Sequence, residues 1–184
     1  MSKRTPALLD PFIPCPDVRG RHEIVVRAPA ELVLNEARNF EIESIWLVRT
    51  LFHLRAALMG AKSAAEQPRA GLVEQMLKLG WGCLADDRNR HFVAGAVCTP
   101  WQAEPGFTPV APGQFASYAE PDRVKIAWTL EAAELAPAVT RFGTETRVIA
   151  TDDEARRKFR SLKTWSGAHV KHPVRLHLGH APRR

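Results

Sequence analysis

The stretch TETRVIATDDEARRKFR, residues 144–160, joins a β-strand directly to an α-helix. Side chains of a strand alternate between its two faces, so one face of a strand at 140–150 carries Phe142, Thr144, Thr146 and Val148. Thr151 is a favourable N-cap residue, and an acidic residue stands three positions later, as in a capping box. The sequence therefore predicts a last strand that is followed at once by a C-terminal helix.

Short apolar segments upstream of this stretch predict further antiparallel strands. In residues 124–131, apolar Val124, Ile126, Trp128 and Leu130 alternate with other residues, as expected of a strand with one face toward a core. A polar turn at 86–89 separates two segments rich in small and β-branched residues, which predicts a hairpin. The predicted strands before residue 140 are 22–27, 79–85, 91–98, 114–119 and 124–131.

Between the first strand and the hairpin, the apolar residues recur at helical spacing. Pro29 suits the first turn of a helix, and leucines recur three or four positions apart up to Leu58, just ahead of Gly60. We interpret this region as two helices or as one broken helix. The element order predicts an α+β fold, in which a curved antiparallel sheet of about six strands wraps on a C-terminal helix and two helices follow the first strand.

The composition of the chain is that of an ordinary globular domain with a basic end. The chain has 184 residues and is 45% hydrophobic, which is enough to bury a core. Its formal net charge is +6, but nine of the 26 Lys and Arg residues, and none of the 20 Asp and Glu residues, lie in residues 155–184. The other residues therefore carry a net charge of −3. Nucleic acid is disfavoured as a partner because the basic character belongs to the tail.

Three regions are predicted along the chain. Residues 1–20 are rich in proline and are expected to form an extended, mobile arm. Residues 21–162 form the predicted domain, and residues 163–184 form a basic tail that contains histidines. We expect a cytoplasmic protein, because no apolar run is long enough to span a membrane, no signal peptide is evident, and three cysteines agree with reduced thiols.

The chain resembles the SRPBCC superfamily, also called START-like, birch-pollen-allergen-like or helix-grip proteins. The most specific match is Thr-Glu-Thr-Arg-Val at 144–148, leading into Arg-Arg-Lys-Phe-Arg at 156–160, and residues 93–97 and 115–118 add to it. The similarity covers roughly residues 20–162 and is greatest to small bacterial members without an assigned activity. It implies a cavity between the sheet and the C-terminal helix that holds lipids, sterols, polyketides or other apolar ligands. Some members of the superfamily are cyclases or hydrolases.

The end of the sequence departs from this family pattern. In similar proteins the last helix continues as the lid of the cavity, whereas Gly167 and Pro173 would each interrupt a helix here. The C-terminal helix is therefore expected to be short, or to close the cavity in a different way.

The candidate cavity residues are mostly large apolar side chains on the inward faces of the predicted elements. A tryptophan can stack on a ring-shaped ligand and also offers one N–H donor. Trp128 is the best candidate because its strand face is the inward one, although core packing without any ligand also explains the tryptophans. The predicted cavity residues are Trp46, His53, Trp81, Trp101, Ile126, Trp128, Phe142, Thr144, Thr146 and Phe159.

The titratable residues offer few candidates for catalysis. His53 lies beside an apolar stripe and is the candidate general base, with a structural hydrogen-bonding role as the alternative. Glu145 and Arg147 share the strand face assigned to the outside. A cross-strand ion pair, weak if solvated, is the favoured role there, and orientation of a polar ligand group is the alternative. Cys83 and Cys98 are predicted to be buried, inert thiols. No metal or other cofactor is predicted, because the two histidine pairs of the tail lack an acidic or thiol partner.

Three hypotheses about function follow from these residues and from the resemblance. The first is a binding protein that encloses an apolar, lipid- or polyketide-like small molecule without transforming it. The second is a cyclase- or hydrolase-type enzyme in which His53 or Glu145 transfers protons in the same cavity. The third is a scaffold or adaptor whose basic tail binds an acidic partner or a membrane surface.

Overall fold

A computed structural model describes residues 7–40, 70–102 and 105–166 of the chain. Within these residues it shows an α+β fold with four helices and five strands. The strands are β1 (Val18–Val26), β2 (Gly82–Asp87), β3 (His91–Cys98), β4 (Val124–Ala136) and β5 (Val139–Ala150). The helices are α1 (Ala30–Asn39), α2 (Leu72–Lys78), α3 (Pro112–Phe115) and α4 (Asp153–Ser166). None of these helices has the length and apolar character needed to cross a membrane.

The five strands form one antiparallel sheet in the order β1-β5-β4-β3-β2. The predicted strands 124–131 and 140–150 are confirmed as β4 and β5, which are joined by a tight turn at Ala138 with φ 56°. The predicted hairpin is confirmed as β2 and β3. It starts after a turn at Gly80, where φ is 95° and a Cβ atom would stand 2.2 Å from the Phe107 carbonyl oxygen. Only glycine, which has no Cβ, tolerates both this positive φ and this close approach of the Phe107 backbone.

One face of the sheet packs against α1, α2 and α4, and we call it the helix face. At one end of this face, Leu34 of α1 and Val73 of α2 pack in a cluster with Phe92 and Leu130. At the other end, a second cluster contains Val124 and Val148 together with Phe159 of α4 and Trp101. The helix face is therefore covered at both ends by helices that follow different strands in the chain.

The opposite face, which we call the N-terminal face, is covered by residues 7–17 and by α3. Leu9 and Ile13 are buried there in a cluster with Val93 and Ala127. The prediction that residues 1–20 form an extended, mobile arm is wrong for this part. Apolar residues stand between the prolines of this segment, and their side chains pack on the sheet.

A helix replaces one predicted strand, so the described sheet has five strands and not about six. Residues 114–119 were expected to form a strand, but α3 occupies Pro112–Phe115 with proline in its first turn, a favoured position. Phe115 is fully buried, and its ring meets the Phe12 ring edge-to-face at 6.2 Å. The buried Lys125 ammonium donates hydrogen bonds to the carbonyl oxygens of Phe115 and Ala116 at 3.2 and 2.9 Å. Tertiary contacts thus decide the structure of this segment.

The C-terminal helix differs from its prediction at both ends. Asp152 caps it, because its Oδ1 accepts a hydrogen bond from the Ala155 N–H at 2.7 Å. The predicted cap, Thr151, instead exchanges hydrogen bonds with the backbone of Arg123. The helix continues to Ser166, beyond the boundary expected at residue 162.

Candidate functional site

The middle of the helix face carries four half-buried side chains, which we call the central patch: Ile126, Trp128, Thr144 and Thr146. They lie on the two adjacent strands β4 and β5, where Trp128 stands opposite Thr146 and Ile126 stands opposite Val148. Strand alternation points all four to the same face. Trp128 packs at the margin of the first cluster and Ile126 at the margin of the second. The central patch therefore bridges the two end clusters and combines apolar surface with two hydroxyl groups.

The Thr144 hydroxyl is the unusual group of this patch. Its Oγ1 atom is buried and has no hydrogen-bond partner among the residues that the structure describes. The hydroxyls of two other threonines in the same strands are satisfied, since Thr129 Oγ1 accepts from the Glu145 N–H at 3.0 Å and Thr140 Oγ1 donates to the Ala28 carbonyl oxygen at 2.7 Å. A buried polar group without a partner costs about 1–3 kcal/mol. Thr144 therefore has an unused donor and acceptor within an apolar face.

His22 lies directly opposite Thr144 on the edge strand β1 and is exposed. Residues opposite each other in an antiparallel pair share a face, so His22 belongs to the border of the central patch. The pattern of a single segment does not indicate His22 as a site residue, because only the β1–β5 register brings His22 and Thr144 together.

Eight of the ten predicted cavity residues lie in the described residues, and all eight are on the helix face. Trp81, Trp128 and Phe142 pack with the α1 and α2 cluster, and Trp101, Ile126 and Phe159 pack with the α4 cluster. The remaining two, Thr144 and Thr146, lie on β5 between these clusters.

Packing accounts for several of these aromatic rings. The Trp81 ring lies 5.5 Å from the Phe107 ring, and the Lys158 ammonium lies 5.4 Å from the centre of the Trp101 ring. Trp46 and His53 lie outside the described residues. The role of these residues as ligand contacts stays a prediction.

The N-terminal face holds a group of charged side chains, which we call the ion cluster: Asp10, Arg19, Arg21, Glu145 and Arg147. Glu145 and Arg147 are its buried members, and the other three side chains reach solvent. Glu145 accepts hydrogen bonds from Arg19 Nε, Arg21 Nη1 and Arg147 Nε at 2.9, 2.9 and 2.6 Å. Arg147 Nη1 also donates to the Ile13 carbonyl oxygen at 2.7 Å and lies 2.8 Å from Asp10 Oδ1. The predicted cross-strand ion pair is present, since Arg19 and Arg21 of β1 bond to Glu145 of β5. The assignment of this face to the outside is wrong, because residues 7–17 cover it and leave Glu145 and Arg147 buried.

The arginines keep the acids of this cluster ionised. Burial by itself is the largest influence on the Glu145 carboxyl and opposes its ionisation, but the hydrogen bonds from Arg147, Arg19 and Arg21 together hold its pKa below the ordinary value. The hydrogen bond from Arg147 is the main reason why the pKa of Asp10 is also lowered. Since each carboxylate is committed to arginine partners, we assign the cluster a structural role.

These lowered pKa values predict a loss of stability in acid. A carboxyl whose pKa is lower in the folded chain stabilises it above the unfolded pKa, about 3.9–4.3, and this contribution is lost as the pH falls through the folded pKa. We expect urea denaturation of Glu145→Gln to show a smaller drop in unfolding free energy between pH 5 and pH 3 than the unmodified chain. Glu134→Gln, an exposed change on β4, is the control. Equal drops for all three proteins would contradict the role of Glu145.

The described cysteines do not provide a nucleophile. Cys98 is buried as predicted, whereas Cys15 and Cys83 are exposed. Partial desolvation, followed by the Asp86 carboxylate, raises the pKa of the Cys83 thiol, which disfavours the reactive thiolate. Within the described residues, His, Cys, Asp and Glu side chains form no group of three or more suited to hold a metal ion.

An open cleft of about 610 Å³ lies beside the end of β3 and is lined by polar residues from the loops that follow. Its hydroxyl groups are already engaged. Thr99 Oγ1 donates to Gln102 Oε1 or to the Pro105 carbonyl oxygen at 3.0 and 3.2 Å, and the Tyr118 hydroxyl donates to Glu120 Oε2 at 2.8 Å. The unused hydroxyl of Thr144 therefore makes the central patch the stronger candidate.

Comparison with known proteins adds little to this description. No protein-family model matches the chain, and no curated protein matches it. Among solved structures, the chain is similar to DR_A0006 from Deinococcus radiodurans, with 12% sequence identity and a TM-score of 0.32, over 83% of this chain and 100% of that one. A TM-score this low carries no argument about fold or function.

Proposed function

We propose that the chain is a binding protein for an apolar small molecule and that the central patch is its site. The observation that carries this proposal is the buried Thr144 hydroxyl, which has no partner within residues 7–40, 70–102 and 105–166. Buried polar groups in proteins are almost always hydrogen-bonded, and each exception needs an explanation. A bound molecule that supplies the missing hydrogen bond is such an explanation.

The surroundings of Thr144 indicate the chemistry of the ligand. Ile126 and Trp128 offer an aliphatic and an aromatic surface on the adjacent strand. Small-molecule sites are commonly apolar with a few polar groups that set the orientation of the ligand. The proposed ligand therefore has a lipid- or polyketide-like apolar body, and one hydroxyl or carbonyl group that bonds to Thr144.

We further propose that the fold is of the helix-grip type. The element order and the packing of Phe159 from α4 on the helix face support it. The resemblance of residues 144–148 to helix-grip proteins supports it as well. Two of these residues, Thr144 and Thr146, lie on the face of the sheet that α4 partly covers. In this proposal the ligand lies between the sheet and the helices.

No described group favours the enzymatic alternative. His53, its candidate base, lies outside the described residues. Glu145, its other candidate, points to the N-terminal face and is bonded to three arginines. A general base must reach its substrate, and Glu145 lies on the wrong side of the sheet for a ligand at Thr144. Binding without chemistry is therefore the function that the site supports best.

Thr144→Val tests the site through two opposite effects. Without ligand, the variant is expected to be more stable than the unmodified chain by about 1 kcal/mol, because valine has the same shape and removes the unsatisfied hydroxyl. Its affinity for the ligand is expected to fall about tenfold, since a hydrogen bond contributes about 0.5–1.5 kcal/mol. Urea denaturation measures the first effect. Native mass spectrometry of protein purified without organic additives measures the second, as the fraction that retains a co-purified apolar molecule.

Thr140→Val is the matched control on the same strand. Its hydroxyl donates to the Ala28 carbonyl oxygen, so this variant is expected to lose stability and to retain the ligand. If Thr144→Val loses stability in the same way and retains the same ligand fraction, the proposed site is wrong. An unmodified chain that carries no molecule and binds no fatty acid in a titration would contradict the proposed function.

A further inference from the structure

The edge strand β1 exposes apolar side chains on both faces of the sheet. In the part of the chain that the structure describes, β1 pairs with β5 and has no second neighbour. Ile24 is 47% exposed and Val25 is 64% exposed, and successive residues of a strand point to opposite faces. A partner on one face cannot cover both residues, whereas a strand added at the edge contacts both.

The two edges of the sheet differ in their protection against such pairing. β2 has six residues, and its pairing with β3 shifts register between Cys83 and Ala85. Short strands and bulges are common ways to block an edge. β1 has nine residues and pairs with β5 without any register shift. A long, regular edge with exposed apolar residues is suited to pair with another strand.

The sequence of β1 is complementary to itself in one antiparallel register. If His22 lies on a two-fold axis, Arg21 stands opposite Glu23 of the second copy, and this pair occurs twice. Registers centred on Arg21 or on Glu23 would instead place two like charges opposite each other, which is destabilising. Charge therefore favours the register centred on His22.

The shapes of the side chains agree with the same register. It places Ile24 of one copy opposite Gly20 of the other, on the helix face. Apart from Gly20 and its two chain neighbours, no atom of the described residues lies within 4 Å of the position that a Cβ of Gly20 would take, so this space is open to the isoleucine. On the N-terminal face, Val25 stands opposite Arg19, whose aliphatic stem can cover it.

We propose that two copies of this chain associate through antiparallel pairing of their β1 strands around His22. The two five-stranded sheets then form one continuous sheet across a two-fold axis, the commonest symmetry of protein dimers. The proposal does not rest on the proposed ligand, because the charge pairs that favour the register lie on the face opposite to Thr144. On the helix face, the pairing brings His22 and the Ile24–Gly20 contacts beside the border of the central patch.

Disulfide trapping tests the register in the full chain. With Cys15→Ser and Cys83→Ser as background, His22→Cys places two thiols opposite each other, at a Cα separation of about 4.5–5.5 Å that a disulfide can bridge. We expect rapid formation of a covalent dimer under mild oxidation. Ile24→Cys is the control, because its two copies would lie about 14 Å apart along the strands. Equal trapping at both positions, or trapping at Ile24→Cys alone, would overturn the proposed register.

Sedimentation velocity tests the dimer without any cysteine substitution. The unmodified chain is expected to form more dimer as its concentration rises. Val25→Lys places a second cation beside Arg19 of the partner copy and is expected to leave only monomer at concentrations where the unmodified chain is mainly dimeric. Leu135→Lys, at a site that is 53% exposed near the end of β4, is expected to dimerise like the unmodified chain. A chain that stays monomeric, or a dimer that Val25→Lys does not weaken, would overturn the proposal.

Discussion

Replacing Arg147 with methionine is expected to lower the free energy of unfolding by about 3–5 kcal/mol, the usual cost of breaking a buried ion pair. Arg147 is buried, bonds to Glu145, and holds residues 7–17 through the Ile13 carbonyl oxygen and Asp10. The substitution leaves the Glu145 carboxylate with only Arg19 and Arg21, and it removes two contacts that hold the covering segment. Urea denaturation at pH 7 measures the loss.

Arg141→Met is the matched control for this change. Arg141 lies on the same strand and face, but it is exposed and its nearest acid, Glu23, is 3.7 Å away. Its replacement is expected to change stability by less than about 0.5 kcal/mol. The double variant Glu145→Leu/Arg147→Met is expected to be more stable than Arg147→Met alone, because it leaves no buried carboxylate. Equal effects of Arg147→Met and Arg141→Met would show that the ion cluster is not buried.

The second large effect is expected from Leu9→Ala. Leu9 is fully buried in the cluster between the N-terminal segment and the sheet. Truncation of a buried leucine costs about 2–5 kcal/mol, because transfer free energy is lost and a cavity remains. A fall of this size in urea or thermal denaturation would confirm that residues 7–17 are an integral part of the domain.

Leu32→Ala makes the same chemical change at a residue of α1 that is 51% exposed. It is expected to alter stability by at most about 0.5 kcal/mol. If Leu9→Ala were as mild as Leu32→Ala, the N-terminal segment would not be packed on the sheet, and the burial of Arg147 would have to be rejected together with it.

The strands that the sequence predicts well are those whose pattern is local. In β4 and β5 the alternation of residues such as Trp128 and Thr146 reports directly which side chains share a face. The same alternation grouped the cavity candidates of these two strands, whereas Trp81, Trp101 and Phe159 lie outside the strands. It could not show that the Thr144 hydroxyl lacks a partner, since that depends on every atom around it.

The errors concern segments whose structure depends on distant contacts. The prolines of residues 1–20 are typical of an extended arm, yet Leu9 and Ile13 pack against apolar side chains of strands that lie more than 70 residues away along the chain. Phe115 becomes part of a short helix because its ring fits between Phe12 and Lys125. Local propensity is a weak guide where such tertiary contacts are available.

By itself, the sequence determined the α+β class, the β2–β3 hairpin, and the sharing of one face by Trp128, Thr144 and Thr146. These features follow from the periods of strands and helices, which are properties of the local backbone. Only the tertiary structure decided that Glu145 and Arg147 are buried. For the part of the chain that it describes, it also decided that Thr144 Oγ1 has no partner and that β1 is an edge. Burial, hydrogen-bond satisfaction and strand order depend on which distant segments meet, and alternation along one strand carries no information about that.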